Sequence, residues 1–272
     1  MDSATPKRIG LYALVERIGR GGETQVYRGI QEPDGTQIAV KFVPRGDPRY
    51  PELRQRLLGE ATLGLQTRHP NLVRILASGE LEEGCYVVQE FLDGRPLHHR
   101  LRETPGAGLP PAEAARIGSE VAGALGCLHA RDLVHADLKP PNVMLCPSRA
   151  VLCDLGSVVG EGATRPGGIV LGTPSYIAPE LLRGAPISRS ADLWSLGVVL
   201  FEMLTGTRPF GLNTDAPPAI LEAVRRAPLP PLLLDLPLEL RELVEALLER
   251  DPSRRPRDAG AIARRLSGLS GP

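Results

Sequence analysis

The chain has 272 residues, 42% of them hydrophobic, and its 32 basic and 32 acidic side chains give a formal net charge of zero. That length buries a sizeable core and suits two lobes, while the balanced charge excludes attraction to nucleic acid or a membrane surface driven by bulk electrostatics, though not a local basic groove. Cys85, Cys127, Cys146 and Cys153 lack metal-ligand spacing, residues 1–10 carry no apolar signal region, and the apolar run 196–204 is too short to span a bilayer. The expectation is a reduced, soluble, cytoplasmic protein with no membrane anchor and no nucleic-acid partner.

In chain order, residues 11–18, 24–30 and 36–43 are predicted strands, the last two joined by Pro33-Asp34-Gly35, a turn in which glycine supplies positive φ. Residues 51–66 are a predicted helix with Leu53, Leu57, Leu58 and Ala61 on one stripe. Strands are expected near 72–78 and 85–90. From Leu109 onward the pattern is mostly helical, with helices over 112–130, 191–205, 216–226, 238–249 and 257–267, interrupted by β-like 143–145 and 150–153. The main breaks are Asp93-Gly94 and the Gly/Pro-rich stretch 160–174; there is no internal repeat. A β-rich part followed by an α-rich part is an α+β arrangement of two lobes.

Three motifs carry chemistry. Ile18-Gly19-Arg20-Gly21-Gly22-Glu23-Thr24-Gln25-Val26 joins two predicted strands, and its glycines let backbone N–H groups approach phosphate. It opens a strand rather than a helix, which counts against a Rossmann site, and any hairpin can carry such glycines. Lys41, in Ile38-Ala39-Val40-Lys41, is one of only three lysines against twenty-nine arginines. A chain so biased toward arginine is expected to keep lysine only where a compact amine is required. Glu60, nineteen residues on, is the natural carboxylate to orient it, against the even alternative of a solvated helical glutamate. Finally, His135-Ala136-Asp137-Leu138-Lys139-Pro140-Pro141-Asn142 is followed by Asp154-Leu155-Gly156. Phosphoryl transfer needs a group that orients a hydroxyl and a few oxygen ligands for magnesium, and Asp137, Asn142 and Asp154 suit those tasks.

On these residues the chain resembles the eukaryotic-type (Hanks-type) serine/threonine protein kinases along nearly its whole length. Gly172-Thr173-Pro174-Ser175-Tyr176-Ile177-Ala178-Pro179-Glu180, Asp192-Leu193-Trp194-Ser195-Leu196-Gly197 and Asp251-Pro252-Ser253-Arg254-Arg255-Pro256 resemble further family segments, in family order. The arginine-rich composition and Thr24 in place of a third loop glycine point to a bacterial member. The resemblance implies a bilobal kinase domain over 11–268, with an N-lobe of antiparallel sheet plus one helix at about 11–91, a mostly helical C-lobe at about 95–268, and tails 1–10 and 269–272. It implies ATP and Mg2+ as cofactors and proteins bearing Ser or Thr as substrates. Lys41 would hold the α/β-phosphates and Glu60 would hold Lys41. Asp137 would orient the attacking hydroxyl, Lys139 would neutralise the γ-phosphate, and Asn142 and Asp154 would bind magnesium. Nucleotide would meet Gly19, Arg20, Gly21, Gly22, Val26, Ala39, Gln89 as gatekeeper, Glu90, Leu92 and Met144. Arg255 would pair with Glu180.

Departures matter too. Ala136 replaces the arginine that in the family grips an activation-loop phosphate, so weak dependence on phosphorylation of Thr164 or Ser157 is expected. Leu155 replaces phenylalanine. Gly64 stands one turn after Glu60 where an apolar side chain is expected against Leu155. Its absence would loosen the helix and call for an activating partner, unless Leu63 or Leu65 fills the gap. Cys153 reads as a small core residue, His98-His99 as a solvated helix start, and 227–237 as a rigid connection. Two other readings remain: a pseudokinase scaffold, and a small-molecule kinase of the aminoglycoside type, against which the Ala178-Pro179-Glu180 segment argues.

Overall fold

The computed structural model describes residues 7–20, 24–103, 106–164, 174–210, 216–231 and 236–271. The chain divides into two compact units, one of residues 1–93 and 154–157 and the other of residues 94–153 and 158–272.

The first unit is a six-stranded antiparallel sheet with one helix. Strands β1 (Arg8–Ile9), β2 (Tyr12–Arg20), β3 (Gln25–Gln31) and β4 (Thr36–Pro44) precede helix α1 (Tyr50–Gln66), and β5 (Ile75–Glu80) and β6 (Gly84–Glu90) follow it. The spatial order is β1-β2-β3-β4-β6-β5. Successive side chains of a strand point to opposite faces, and β4 shows the consequence. Ile38, Val40 and Phe42 join Ile9, Leu14, Tyr27 and Val88 in one apolar cluster. Val43, on the other parity, joins Tyr50, Leu53, Leu57 and Ala61 of α1 with Ile75, Cys85 and Val87. Lys41 shares the parity of Val43, so the pleat aims it toward the helix. On α1 the buried positions Leu53, Leu57, Glu60, Ala61 and Gly64 form one stripe. Glu60 therefore faces the sheet and is no solvated glutamate.

Gly64 overturns one expectation. A Cβ there would stand 2.2 Å from Ile75 Cγ1 and 3.3 Å from Leu155 Cδ1. The space expected to be empty is filled by Ile75 of β5, and neither Leu63 nor Leu65 is needed to fill it. The reason for an activating partner that rested on a gap falls away. The same contact accounts for the place of residues 154–157, which belong to the first unit because Leu155 packs beside α1.

The second unit contains β7 (Arg95–Pro96), α2 (Leu97–Arg102), α3 (Pro111–His129), β8 (Leu133–Val134), β9 (Val143–Leu145), β10 (Ala150–Leu152), β11 (Val159–Gly160), α4 (Arg189–Thr205), α5 (Pro217–Arg226), α6 (Leu238–Leu247) and α7 (Ala259–Leu269). Its small sheets pair β10-β9-β7 and β11-β8. α4 is the axis of this unit, with apolar residues buried around most of its circumference. α3 approaches it closely: a Cβ on Gly118 would fall 2.6 Å from Leu200 Cδ2. α7 lies on α3, where Ser119 Oγ donates to Ala263 O at 2.8 Å.

Each predicted element lies within a few residues of its observed place, and the short strands β1, β7, β8 and β11 are additional to those expected. Strand 72–78 is displaced to Ile75–Glu80 because Leu72 N–H turns back to His69 O, and helix 257–267 starts at Ala259 because the Asp258 carboxylate caps Gly260 and Ala261 N–H. Cys85, Cys127, Cys146 and Cys153, all among the described residues, form no disulfide. No described helix is long and apolar enough to cross a membrane.

Gly64→Ala is expected to lower stability by about 1–3 kcal/mol through overpacking, although alanine is the better helix former. In thermal or urea unfolding, the Gly64→Ala/Ile75→Ala double variant should lose less than the sum of the two single losses. Additive losses would contradict the contact.

Candidate active site

In the first unit, Lys41 Nζ donates to Glu60 Oε1 at 2.6 Å and to Asp154 Oδ1 at 3.2 Å. Lys41 and Glu60 are 9% and 3% exposed, whereas the Asp154 carboxylate is about half exposed. Burial alone would depress the Lys41 amine, but the Glu60 and Asp154 carboxylates outweigh it and hold Lys41 above lysine's ordinary range. Burial pushes Glu60 up, and Lys41 with the Leu155 N–H draws it partly back. The amine thus stays charged across physiological pH. Asp154 holds φ 62°, a left-handed conformation unusual for a side-chain-bearing residue.

Of the remaining expected nucleotide residues in this unit, Ala39 is buried and Val26, Gln89 and Leu92 are half-buried. The Glu90 N–H donates to Arg74 O, and its carboxylate accepts from Arg74 N–H. Gly19 is on β2. Gly21 and Gly22, and the side chain of Arg20, lie outside the described residues, as do Gly172 and Thr173.

In the second unit, Asp137 Oδ2 accepts from Lys139 Nζ at 2.8 Å and from Asn142 Nδ2 at 3.2 Å, and Asn142 Nδ2 also donates to Asp137 O at 2.9 Å. With its amide nitrogen turned to Asp137, the oxygen is what Asn142 has to offer a cation. Met144 is on β9 in this unit. Among the described residues no three or more His, Cys, Asp or Glu cluster as a metal cage. Magnesium needs none, since it takes one or two protein oxygens beside phosphate and water, and Asn142 and Asp154 fit that chemistry.

What positions Asp137 is the loop before it. Asp192, 1% exposed in the first turn of α4, accepts from His135 N–H on Oδ2 and Ala136 N–H on Oδ1, both at 2.8 Å. His129 of α3 reaches Oδ2 through Nε2 at 2.9 Å. These bonds hold Ala136 at φ 61°. The buried His135 ring continues the network. Its Nδ1 accepts the Asp137 N–H at 3.3 Å, so Nε2 carries the hydrogen and donates to Cys153 O at 3.2 Å. The sequence marks the segment of Asp192 without showing a task for its carboxylate, and the only signal of His129 is a histidine within a buried helical stripe.

Arg255 forks onto Glu180, Nη1–Oε1 2.6 Å and Nη2–Oε2 2.8 Å, and lies 5.0 Å over the Trp194 ring. Tyr176 donates to Glu202 at 2.6 Å, and Arg208 to Ser175 at 2.8 Å.

The sequence profile described as protein kinase domain matches residues 12–265. Serine/threonine-protein kinase Pkn1 of Myxococcus xanthus is 37% identical over 259 residues, 91% of this chain and 35% of that protein. Serine/threonine-protein kinase PknA of Mycobacterium tuberculosis is 34% identical over 262 residues, 93% of this chain and 60% of that one. A second Myxococcus xanthus protein, serine/threonine-protein kinase pkn2, is 34% identical over 95% of this chain and 32% of its own length. The chain thus spans between about one third and three fifths of these relatives.

Asp192→Asn replaces one acceptor oxygen with a donor facing backbone N–H groups. It should cost about 2–4 kcal/mol, read by denaturant unfolding, and should speed hydrogen exchange at the His135 and Ala136 amides. Unchanged stability would contradict the role given to this carboxylate.

Proposed function

We propose a phosphotransferase, on the premise that this chain belongs to the protein kinase family and resembles its bacterial serine/threonine members. The reaction is transfer of the γ-phosphate of ATP to serine or threonine hydroxyls of protein substrates, and its setting is cytoplasmic.

The observation that carries this reading is the buried Lys41–Glu60 pair extended to a half-exposed Asp154. Replacing a buried ion pair with apolar side chains is often neutral or stabilising. An amine held charged at the rim of the first unit's core is therefore better explained by an anion it serves than by stability. Lys41 holds the α/β-phosphates, and Glu60 fixes the direction of its N–H groups. Asp137 orients the attacking hydroxyl and receives its proton, with the carboxylate steadied by Asn142 and Lys139. Lys139 also stands ready to neutralise charge that grows on the γ-phosphate. Asn142 and Asp154 hold magnesium, which supplies charge neutralisation on the phosphate oxygens when bound. Positioning and electrostatics supply most of the rate in such a reaction. Gly19, Arg20, Gly21, Gly22, Val26, Ala39, Gln89, Glu90, Leu92 and Met144 complete the nucleotide contacts. Because Ala136 offers no guanidinium to a phosphate, activity depends little on phosphorylation of Thr164 or Ser157.

Transfer from γ-labelled ATP to a generic basic protein, with magnesium, tests the reading. The wild type should label serine or threonine. Asp154→Asn and Lys41→Arg should each lose at least about 100-fold, Lys41→Arg because a planar fork does not replace a point charge between two carboxylates. Magnesium-dependent ATP binding without transfer would mark a scaffold instead, and transfer to an aminoglycoside but to no protein would mark a small-molecule kinase. The double variant Thr164→Ala/Ser157→Ala should retain activity; its complete loss with the fold intact would refute phosphate independence.

A further inference from the structure

We propose that Arg189 is a positioning residue, a phosphate-independent clasp that holds the start of the activation segment to the loop leading into Asp137. The inference deepens the function proposed above and rests on it for its catalytic consequence.

Arg189 opens α4, three residues before Asp192. Its Nε donates to Glu161 Oε2 at 2.5 Å and its Nη2 to Asp132 Oδ1 at 2.5 Å. Glu161 lies seven residues after Asp154; Asp132 lies five before Asp137. One planar fork thus joins three stretches of the second unit: the helix that carries Asp192, the turn before the His135-Ala136-Asp137 loop, and the chain emerging from Asp154-Leu155-Gly156. A cation in the first turn of a helix faces the positive end of the macrodipole, an unfavourable place without nearby carboxylates. Here two are supplied.

The backbone around the fork is already paired. β11 joins β8 through Val159↔Val134 and Gly160↔Leu133. Glu161 N–H donates to Asp132 O at 2.8 Å, Gly162 N–H to Ile187 O at 2.8 Å, and Ile187 N–H to Ala163 O at 2.9 Å. Asp132 itself sits at φ 56°. An isolated surface ion pair contributes little, because ordering two long side chains offsets most of its Coulomb gain. In this arrangement backbone bonds have already ordered both carboxylate-bearing segments, so less entropy opposes the side-chain bonds. In the family a phosphate on the activation loop meets the arginine that precedes the aspartate; here Ala136 stands at that place. A genetically encoded carboxylate, Glu161, and an arginine from another element make a bond of the same chemical kind.

The test uses the unphosphorylated chain, its state checked by mass, as wild type, Arg189→Met and Arg189→Lys. Amide hydrogen exchange is followed at Glu161, Gly162, Ala163 and Ile187 together with the thermal midpoint and, with ATP and a basic protein, kcat and KM. In Arg189→Met, exchange at these amides should accelerate about fivefold, the scale of about one kcal/mol at a charge-assisted surface contact. The midpoint should move by no more than about 3 °C. The kcat should fall by about five- to tenfold, with KM for ATP unchanged. Arg189→Lys should restore part of both effects, since one ammonium reaches one carboxylate at a time. Equal exchange in wild type and Arg189→Met overturns the clasp. Faster exchange with unchanged kcat overturns the positioning role, and a large drop in midpoint shows a general structural role instead. A wild type that transfers no phosphate refutes the proposed function, while the exchange measurement still decides whether the clasp exists.

Discussion

A single buried carboxylate organises the second unit. Asp192 is almost wholly shielded from water, where an unpaired anion would be prohibitively costly. Its burial is tolerated because His129 and the N–H groups of His135 and Ala136 surround it, and because it sits at the positive end of α4. The dependence also runs outward. Ala136 keeps its left-handed φ, at a cost of about 1–2 kcal/mol, only because Asp192 occupies both amides. That bend places the His135 ring so that Asp137 N–H and Cys153 O are bonded to its two nitrogens. A carboxylate on one helix thereby sets the approach of Asp137 and the end of the strand that leads to Asp154.

The first unit solves a different charge problem. Strand parity puts Lys41, and the helical stripe puts Glu60, into the same apolar layer. Neither charge is acceptable there alone, and together they leave the amine with capacity to spare, which Asp154 takes up. Had Gly64 carried a side chain, α1 would be pushed from Ile75 and Leu155, and Glu60 would move with the helix. The glycine therefore belongs to the same device as the ion pair: close approach of α1 to β5 sets how far the carboxylate reaches.

Much of this was legible in the sequence because its causes are local. Pro33-Asp34-Gly35, the stripe Leu53-Leu57-Ala61 and the run of β4 each dictate an element within a few residues of where it lies. The cluster of Asp137 with Lys139 and Asn142 was legible because these residues are close in sequence. The rest depends on what lies opposite. Nothing near Gly64 in sequence announces Ile75, nothing near residue 136 announces Asp192, and Arg189 reads as one arginine among twenty-nine until its carboxylates are seen. That residues 154–157 belong to the first unit follows from Leu155 packing and not from any break in composition.

The division of labour between the two cations follows from shape. Arg255 meets both oxygens of Glu180, donates to Glu249 O and places its Cζ 5.0 Å over the Trp194 ring, which stacks in turn on Phe210 at 5.6 Å. Only a planar guanidinium with several donors in one plane can do all of this. Arg189, bridging two carboxylates from two segments, uses the same fork. Lys41 meets two carboxylates and Lys139 one, each through a single compact amine whose rotatable donors are not confined to one plane. In a chain that uses arginine for almost every other cationic task, Lys41 and Lys139 are the places where a carboxylate meets a compact amine and not a planar fork.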